Sequence, residues 1–441
     1  MSTLTRRFLL SAVAVAPLAV SVPALAAGTV PAGAAPTAPV PTGASSAGAL
    51  PRLPRELSPV LAARATLPAD HLEPGPPSGA QVTPANGVSG PFDGQVIPGF
   101  SAMVEIGDGS YWAMPDNGFG AKGNSADFLL RIYRVTPRWE TAEGGEGRIA
   151  VDSFAGLRDP DRVLDFAIVG EDTEERLLTG ADFDVESLVV AEDGSFWIGE
   201  EFGPFLLHFS ADGVLLQAPF ALPGGLRSPD SPHLAEGETP SVRASKGFEA
   251  LAASPNGRIL YPILEGHLPG AASQREILVL EFDTRAGAYT GRRWTYEADL
   301  DGNLVGDAFA LAPHRLLILE RDDLWGPESI TKKVYAVDLR RTDERGIVEK
   351  ELVVDLLAIP NPAGIGLEAD PGAYGVGEAF SFPMQSVETV VLQADGRLLI
   401  ANDNNYPGND ARYEGVPDDT EMILLDLAAA SAAGTTRDRR R

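Results

Sequence analysis

Acidic residues recur at the ends of short apolar segments in this chain, at spacings that could do chemistry. Glu186 and Glu201 flank Asp193-Gly194, Glu388 and Asp403 flank Asp395-Gly396, and Glu249 and Glu265 flank Asn256-Gly257. Asp-Gly and Asn-Gly supply the positive φ of a two-residue hairpin turn at little steric cost. Such a turn at 193–194 places Glu186 opposite Glu201, and one at 395–396 places Glu388 opposite Asp403. A turn at Asp108-Gly109 sets Ser101 opposite Asp116. The turn at 256–257 sets Glu249 opposite Leu264, and a bulge at Pro262 brings Glu265 opposite Glu249 instead. Like charges facing each other across a ladder destabilise it. Either one acid keeps a proton at raised pKa, or a cation sits between the two. Several pairs converging on one mouth favour a hard cation such as calcium, which takes six to eight oxygen ligands. Asn117, Asn402, Asn404 and Asn405 add carbonyl donors of suitable hardness.

Two basic residues interrupt this pattern. Lys246 precedes the third repeat in SKGFEAL, and Arg321 ends the fourth in LERDD, where the other repeats carry an acid. A guanidinium fork in that position can grip a phosphate or a carboxylate. Other catalytic signatures are absent: the sequence has no G-x-S-x-G, no H-E-x-x-H and no P-loop, and its five histidines are scattered.

The elements that must position these residues are repeats. FSAMVEIGDGSYWAMPDN (100–117), VESLVVAEDGSFWIGEE (185–201), FEALAASPNGRILYPILE (248–265), AFALAPHRLLILERD (308–322) and VETVVLQADGRLLIANDN (387–404) each read as strand, turn, strand. Further strand-like runs follow most of them, such as EILVLEFDTRAGAYTGRRWTYE and KKVYAVDLR. An inner hairpin followed by an outer one makes a four-stranded blade, and several blades around an axis make a propeller. The expected fold is all-β, a propeller of five to six four-stranded blades. A sixth, degenerate blade could lie in 127–180, and VLAARATLP (60–68) could close the ring by completing the last blade. A β-sandwich or an open repeat array is the alternative. Trp112 and Trp197 read as core between blades.

Residues 1–26 read as a signal peptide: Arg6-Arg7, an apolar run to Val22, and the small-x-small site Ala24-Leu25-Ala26. TRRFLL matches the twin-arginine pattern. Residues 27–54 read as a flexible Ala/Pro linker, 55–427 as the propeller domain and 428–441 as a disordered tail. The expected location is outside the cytoplasm, periplasmic or extracellular. Acids outnumber bases 62 to 35, for a net charge of −27, which disfavours nucleic acid and anionic lipid as partners. No cysteine is present, which removes disulfides and thiol chemistry. No stretch after the signal is apolar enough to span a membrane. A monomer is expected.

DVESLVVAEDGSFWIGEEFGPFLLHFSADG, SKGFEALAASPNGRILYPILE and RLLILERDD resemble the repeats of the phytase-esterase-like family, the bacterial "esterase-like activity of phytase" domain. AMPDNGFGAKGNSADFLLRIYRV and ATLPADHL are similar to its N-terminal segments, so the resemblance covers about 60–427. It implies a β-propeller-type fold, export and a phosphoester-related role. Carried onto this chain, it implies site roles for Asp116, Glu186, Glu200, Glu201, Glu249, Glu265, Glu320 and Asp403, with Lys246, Arg321 and Asp322 matching the family's lysine and its E-R-D motif. In the fourth repeat Phe309 stands where the others put Glu. Fold and family name do not by themselves establish a reaction.

Together these readings point to a metal-dependent hydrolase of phosphoric esters acting on a small anionic substrate. Calcium is the expected ion, held by Asp116, Asn117, Glu186, Glu200, Glu249, Glu265, Glu320, Glu388, Asp403 and Asn404. Glu201 is the expected general base, Lys246 and Arg321 stabilise developing charge, and Asp322 completes the catalytic set. A metal-dependent lactonase or carboxylesterase, or a non-enzymatic binding propeller, are the competing readings.

Overall fold

Glycine-supported loops and alternating apolar residues fold the chain into antiparallel hairpins. The computed structural model describes residues 52–428. The expected signal peptide, nearly all of the linker and all but the first residue of the tail lie outside the described residues.

The first blade pairs Ala102–Glu105, Tyr111–Met114, Arg131–Arg138 and Arg148–Gly156. The second holds Val185–Val190, Phe196–Glu200, Phe205–Phe209 and Phe220–Ala221. Phe248–Ala253, Ile259–Leu264, Glu276–Asp283 and Ala288–Glu297 form the third. Leu304–Ala312, Arg315–Arg321, Lys332–Thr342 and Val348–Asp355 form the fourth. The fifth takes Ser386–Leu392, Leu398–Asp403 and Thr420–Asp426, and its outer strand is Val60–Leu67 from the other end of the chain. The innermost strands touch in sequence from first to fifth, and the fifth touches the first, so the described residues close a β-propeller ring. Residues 127–180 are not a sixth blade, because their two long strands are the outer pair of the first.

Apolar clusters fill the space between successive blades. Leu317 and Leu319 of the fourth blade pack with Val387 and Val390 of the fifth, all buried. Trp112 meets Phe196 edge-on at 5.6 Å between the first and second blades, and Trp197 lies in the core of the second to fourth. Ring closure relies on a polar device as well. Arg64 on the closing strand and Arg412 both grip Glu421, which is 1% exposed, at 2.8–3.1 Å. Arg64 also pairs with Asp370.

The hairpin register departs from the two-residue expectation, and the departure shapes the site. In the second blade Ala191 N–H donates to Ser195 O at 2.8 Å, so three residues form the loop. Gly194 there takes φ +84°, and Asp193 Oδ1 accepts from Ser195 N–H. The first and fifth blades do the same at Ile106/Ser110 and Gln393/Arg397. Each ladder therefore runs one residue out of the expected step, and a one-residue slip moves side chains to the other face. A β-bulge on the inner strand adds a further one-residue step in the same direction. It falls at Glu186, Glu249, Gly306 and Glu388, which the ladders skip in the second to fifth blades. The third hairpin keeps the expected register, but its bulge is at Glu249, and Pro262 pairs regularly with Leu251.

Candidate metal and anion site

A bulge re-aims the residue it leaves unpaired. Because the bulges recur at one level of each blade, carboxylates from different blades meet. Carboxylate oxygens of Glu186, Glu249 and Glu388, from the second, third and fifth blades, lie within 4.8 Å of one another. Two further groups of the same tightness flank them: Asp116, Asp184 and Glu186 on one side, and Glu201, Glu249 and Glu265 on the other. Asp403 is buried beside Asp116 and Glu388, whose charges act on it. Eight buried carboxylates thus share one region. The expected facing of Glu186 with Glu201 gives way to contacts between blades, whereas Glu249 and Glu265 share a group and Glu388 and Asp403, though not cross-strand partners, still interact.

Among the described residues, two cations are built into this region. Arg321 Nη2 donates to Glu265 at 2.6 Å, to Glu388 at 3.0 Å and to Glu249 at 3.5 Å. Lys246 pairs with Glu265. Both bases are held above their ordinary pKa: burial opposes their charge, but Glu265 acts on both, joined by Glu388 and Glu249 at Arg321 and by Glu201 at Lys246, and the acids prevail. Among the described residues, no Lys or Arg nitrogen lies within 4.0 Å of an acidic oxygen of Asp116, Asp184 or Glu186. Burial, then the Asp184 and Glu388 charges, push Asp116 up to about 8. Burial pushes Asp184 up to about 7. Glu186, Glu201, Glu249 and Asp403 are raised well above the usual carboxylate range, first by burial and then by neighbouring acids. Glu388 is raised by burial against the pull of Arg321.

These shifts are the signature of charge that the protein alone does not neutralise. An ionised carboxylate buried without a partner costs several kcal/mol, and protons or a cation must offset that. The donor set is all oxygen, and none of the five histidines belongs to it, which fits a hard ion such as calcium. The Asp116–Asp184–Glu186 group is where the protein supplies least positive charge. A cavity of about 130 Å³ lined by Asp116, Phe119, Asn405 and Tyr406 borders the group at Asp116.

Several expected site residues are turned elsewhere. Adjacent residues of a strand point to opposite faces, so Glu200 and Glu320 leave the axis while Glu201 and Arg321 face it. Glu200 accepts from Phe202 and Gly203 N–H at 2.9 and 2.7 Å, and burial lifts its pKa to about 8. Glu320 is held by Tyr296, Asn303, Lys350 and the Asp299 N–H. Asp322 anchors its own loop through Lys332 Nζ at 2.7 Å and Thr331 N–H. Asn117 braces the cluster, donating to Asp184 Oδ1 at 2.6 Å and accepting from Gly120 N–H. Asn404 faces Thr420 and accepts from Tyr406 N–H. In the fourth repeat the residue matching the bulge glutamates is Gly306, not Phe309, which packs among apolar residues. Asp184 was missed by the hairpin argument because it precedes the strand. Its signal was Asp184-Val185-Glu186, two acids two residues apart and so on one face.

The family described as "Phytase-like: Esterase-like activity of phytase" matches residues 95–406. This chain belongs to that family. The matched span holds all eight axial carboxylates, Lys246 and Arg321. An uncharacterized secreted protein of Arthroderma benhamiae is 26% identical over 141 residues, covering 26% of this chain and 26% of that protein. The chain therefore matches about a quarter of the length of that curated relative. Among solved structures, a calcium-binding protein, regucalcin, from Agrobacterium tumefaciens is 11% identical, with 75% of this chain and 91% of that chain covered at a TM-score of 0.36. The Dos1 propeller is 10% identical, with 77% and 69% covered at a TM-score of 0.30. Both scores are low, and the ring stands on its own strand pairing. Among the described residues no helix is long and apolar enough to cross a membrane.

Proposed function

We propose that this protein is an exported, metal-dependent phosphoester hydrolase that takes a small anionic substrate at the axial acidic cluster. The observation that carries the reading is the charge imbalance: eight buried carboxylates face two built-in cations, one of which, Arg321, has a buried Nε–H without a partner. A buried donor left unpaired costs free energy that a ligand oxygen recovers. Asp116, Asp184 and Glu186, with Glu388 and Asp403 beside them, would hold a divalent cation, calcium by their donor chemistry. Such an ion, when bound, supplies a Lewis acid for a phosphoryl oxygen and a lowered pKa for water.

The chain's own groups supply the rest. Arg321 offers Nε–H to a substrate oxygen; its Nη2 is fixed by Glu265, Glu388 and Glu249 and its Nη1 by Asp323, so the guanidinium is oriented before substrate arrives. Lys246 adds a second positive charge beside Glu265. Gly247 N–H holds one oxygen of Glu201 at 2.7 Å. Burial and the neighbouring Glu265 raise the pKa of that carboxyl, which strengthens it as a proton acceptor. In hydrolysis Glu201 would take a proton from water as the water oxygen bonds to phosphorus; the bond from phosphorus to the leaving alcohol breaks, and Glu201 returns that proton to the alcohol oxygen. The family description supports an ester substrate, and the relative described as secreted supports export.

The test is turnover by chelator-treated protein resupplied with calcium, on a phosphomonoester, a phosphodiester, phytate, a carboxylate ester and a lactone. Hydrolysis of a phosphorus ester, lost in Glu201→Gln and Arg321→Gln, is expected. No turnover on all three phosphorus substrates would sink the reading. Turnover confined to the carboxylate ester or lactone would move the activity to the esterase class that the family description also names.

A further inference from the structure

The fourth blade breaks the pattern of the others in two coordinated ways. Its bulge position is Gly306, where the second, third and fifth blades carry Glu186, Glu249 and Glu388. Its inner hairpin ends in Arg321, the position that in the second blade is Glu201. The two changes fit together in space. A Cβ at position 306 would lie 2.2 Å from Val387 O and 3.5 Å from Arg321 Cδ. No side chain can stand there, and the guanidinium stem runs alongside the vacated place.

Arg321 then does what a bound ion would do. Its Nη2 meets carboxylates of the third and fifth blades at 2.6, 3.0 and 3.5 Å, namely Glu265, Glu388 and Glu249. Lys246 reinforces it at Glu265. Arg321 is 4% exposed, and its Nε has no hydrogen-bond partner, so this fixed charge keeps an open coordination direction, as a metal with a free site would. Among the described residues, the opposite group of Asp116, Asp184 and Glu186 has no such internal cation.

We propose that Arg321 is a built-in cation standing in for a metal ion on the Glu201–Glu249–Glu265–Glu388 side of the cluster, so that its removal opens a divalent-cation site there. The inference deepens the reading that the axial cluster takes a cation, and it assigns that cation to the Asp116–Asp184–Glu186 side alone. Four carboxylates from three blades would then face each other with only Lys246 between them, and a hard ion is the ligand their charge selects.

The test is the number of calcium ions bound by the chelator-stripped full chain, by titration calorimetry with calcium alone. Wild type is expected to bind one, Arg321→Gln two, and Arg321→Lys, which keeps the charge, one. An Arg321→Gln variant binding the same number as wild type overturns the proposal, as does a wild type that already binds two. A wild type that binds none with an Arg321→Gln variant that binds one sinks the metal-dependent function and leaves this proposal standing. Should Arg321→Gln fail to fold, Asp184→Asn decides: with Arg321 in place it should lose the one wild-type ion, and an ion retained in the remaining cluster would overturn the proposal.

Discussion

Replacing Glu421 by Gln should unlock the ring. Glu421 lies on the strand that pairs with the N-terminal strand Val60–Leu67, and that pairing joins the two ends of the described chain. Its carboxylate takes Arg64 Nε and Nη2 at 2.9 and 3.1 Å and Arg412 Nε and Nη2 at 3.0 and 2.8 Å. All three side chains are at most 6% exposed. Glu421→Gln removes the charge and leaves two buried guanidiniums, of which Arg64 keeps Asp370. Breaking a buried pair in this way costs about 3–5 kcal/mol. The pKa gives a consistent figure. Burial works to raise it, but Arg412 and Arg64 bring it from 4.5 down to about 2, a depression worth about 3 kcal/mol. With an unfolding entropy near 0.8 kcal/mol per kelvin for roughly 375 residues, the midpoint should fall about 4–6 °C.

The pH dependence follows with a definite sign. A depressed folded pKa contributes stability that is complete above the unfolded value of 4.5 and is lost as pH falls towards 2. The wild type should therefore exceed Glu421→Gln at pH 6, and the gap should close as pH drops through that window. Urea denaturation followed by tryptophan fluorescence at a series of pH values measures it. A variant with the wild-type midpoint at pH 6, or a gap unchanged down to pH 2.5, would refute the argument.

Calcium at a hundredfold excess over its Kd should stabilise the protein by about 2.7 kcal/mol, or about 3 °C on the same entropy scale. Asp184→Asn should abolish that shift, and identical midpoints with calcium and with chelator would remove the cation from the account. Gly306→Ala should destabilise by about 1–3 kcal/mol or more, because its Cβ meets Val387 O at 2.2 Å; an unchanged denaturation midpoint would show that the fourth and fifth blades are not packed as described. Glu320→Gln should cost stability but not kcat, since Glu320 bonds to Tyr296, Asn303 and Lys350 rather than to the axial groups; a large loss of kcat with an unchanged KM would place it in the site after all.

The sequence alone determined the repeat, the blades and the strand that closes them. Alternating apolar residues around Asp-Gly and Asn-Gly are local signals, and local hydrogen bonding honours them. It also singled out Arg321 as the exception among acids, since a change of charge at a repeated position needs no coordinates to be seen. The register was partly legible: the turn residues were visible, but Asp193 and its counterparts bond to the backbone two residues on, which makes loops of three residues instead of two. Glu200 and Glu320 could have been set aside from strand alternation, since each neighbours a residue that faces the axis. What only the tertiary structure decided is which carboxylates meet. The bulges at Glu186, Glu249 and Glu388 shift each inner strand by one residue and re-aim those carboxylates towards other blades. Asp184, Glu186 and Asp116 become one group because two blades bring them together, and Gly306 gains meaning only beside Arg321 and Val387. Acid-tipped hairpins are a property of each repeat, whereas a cluster of eight carboxylates around two cations is a property of the closed ring.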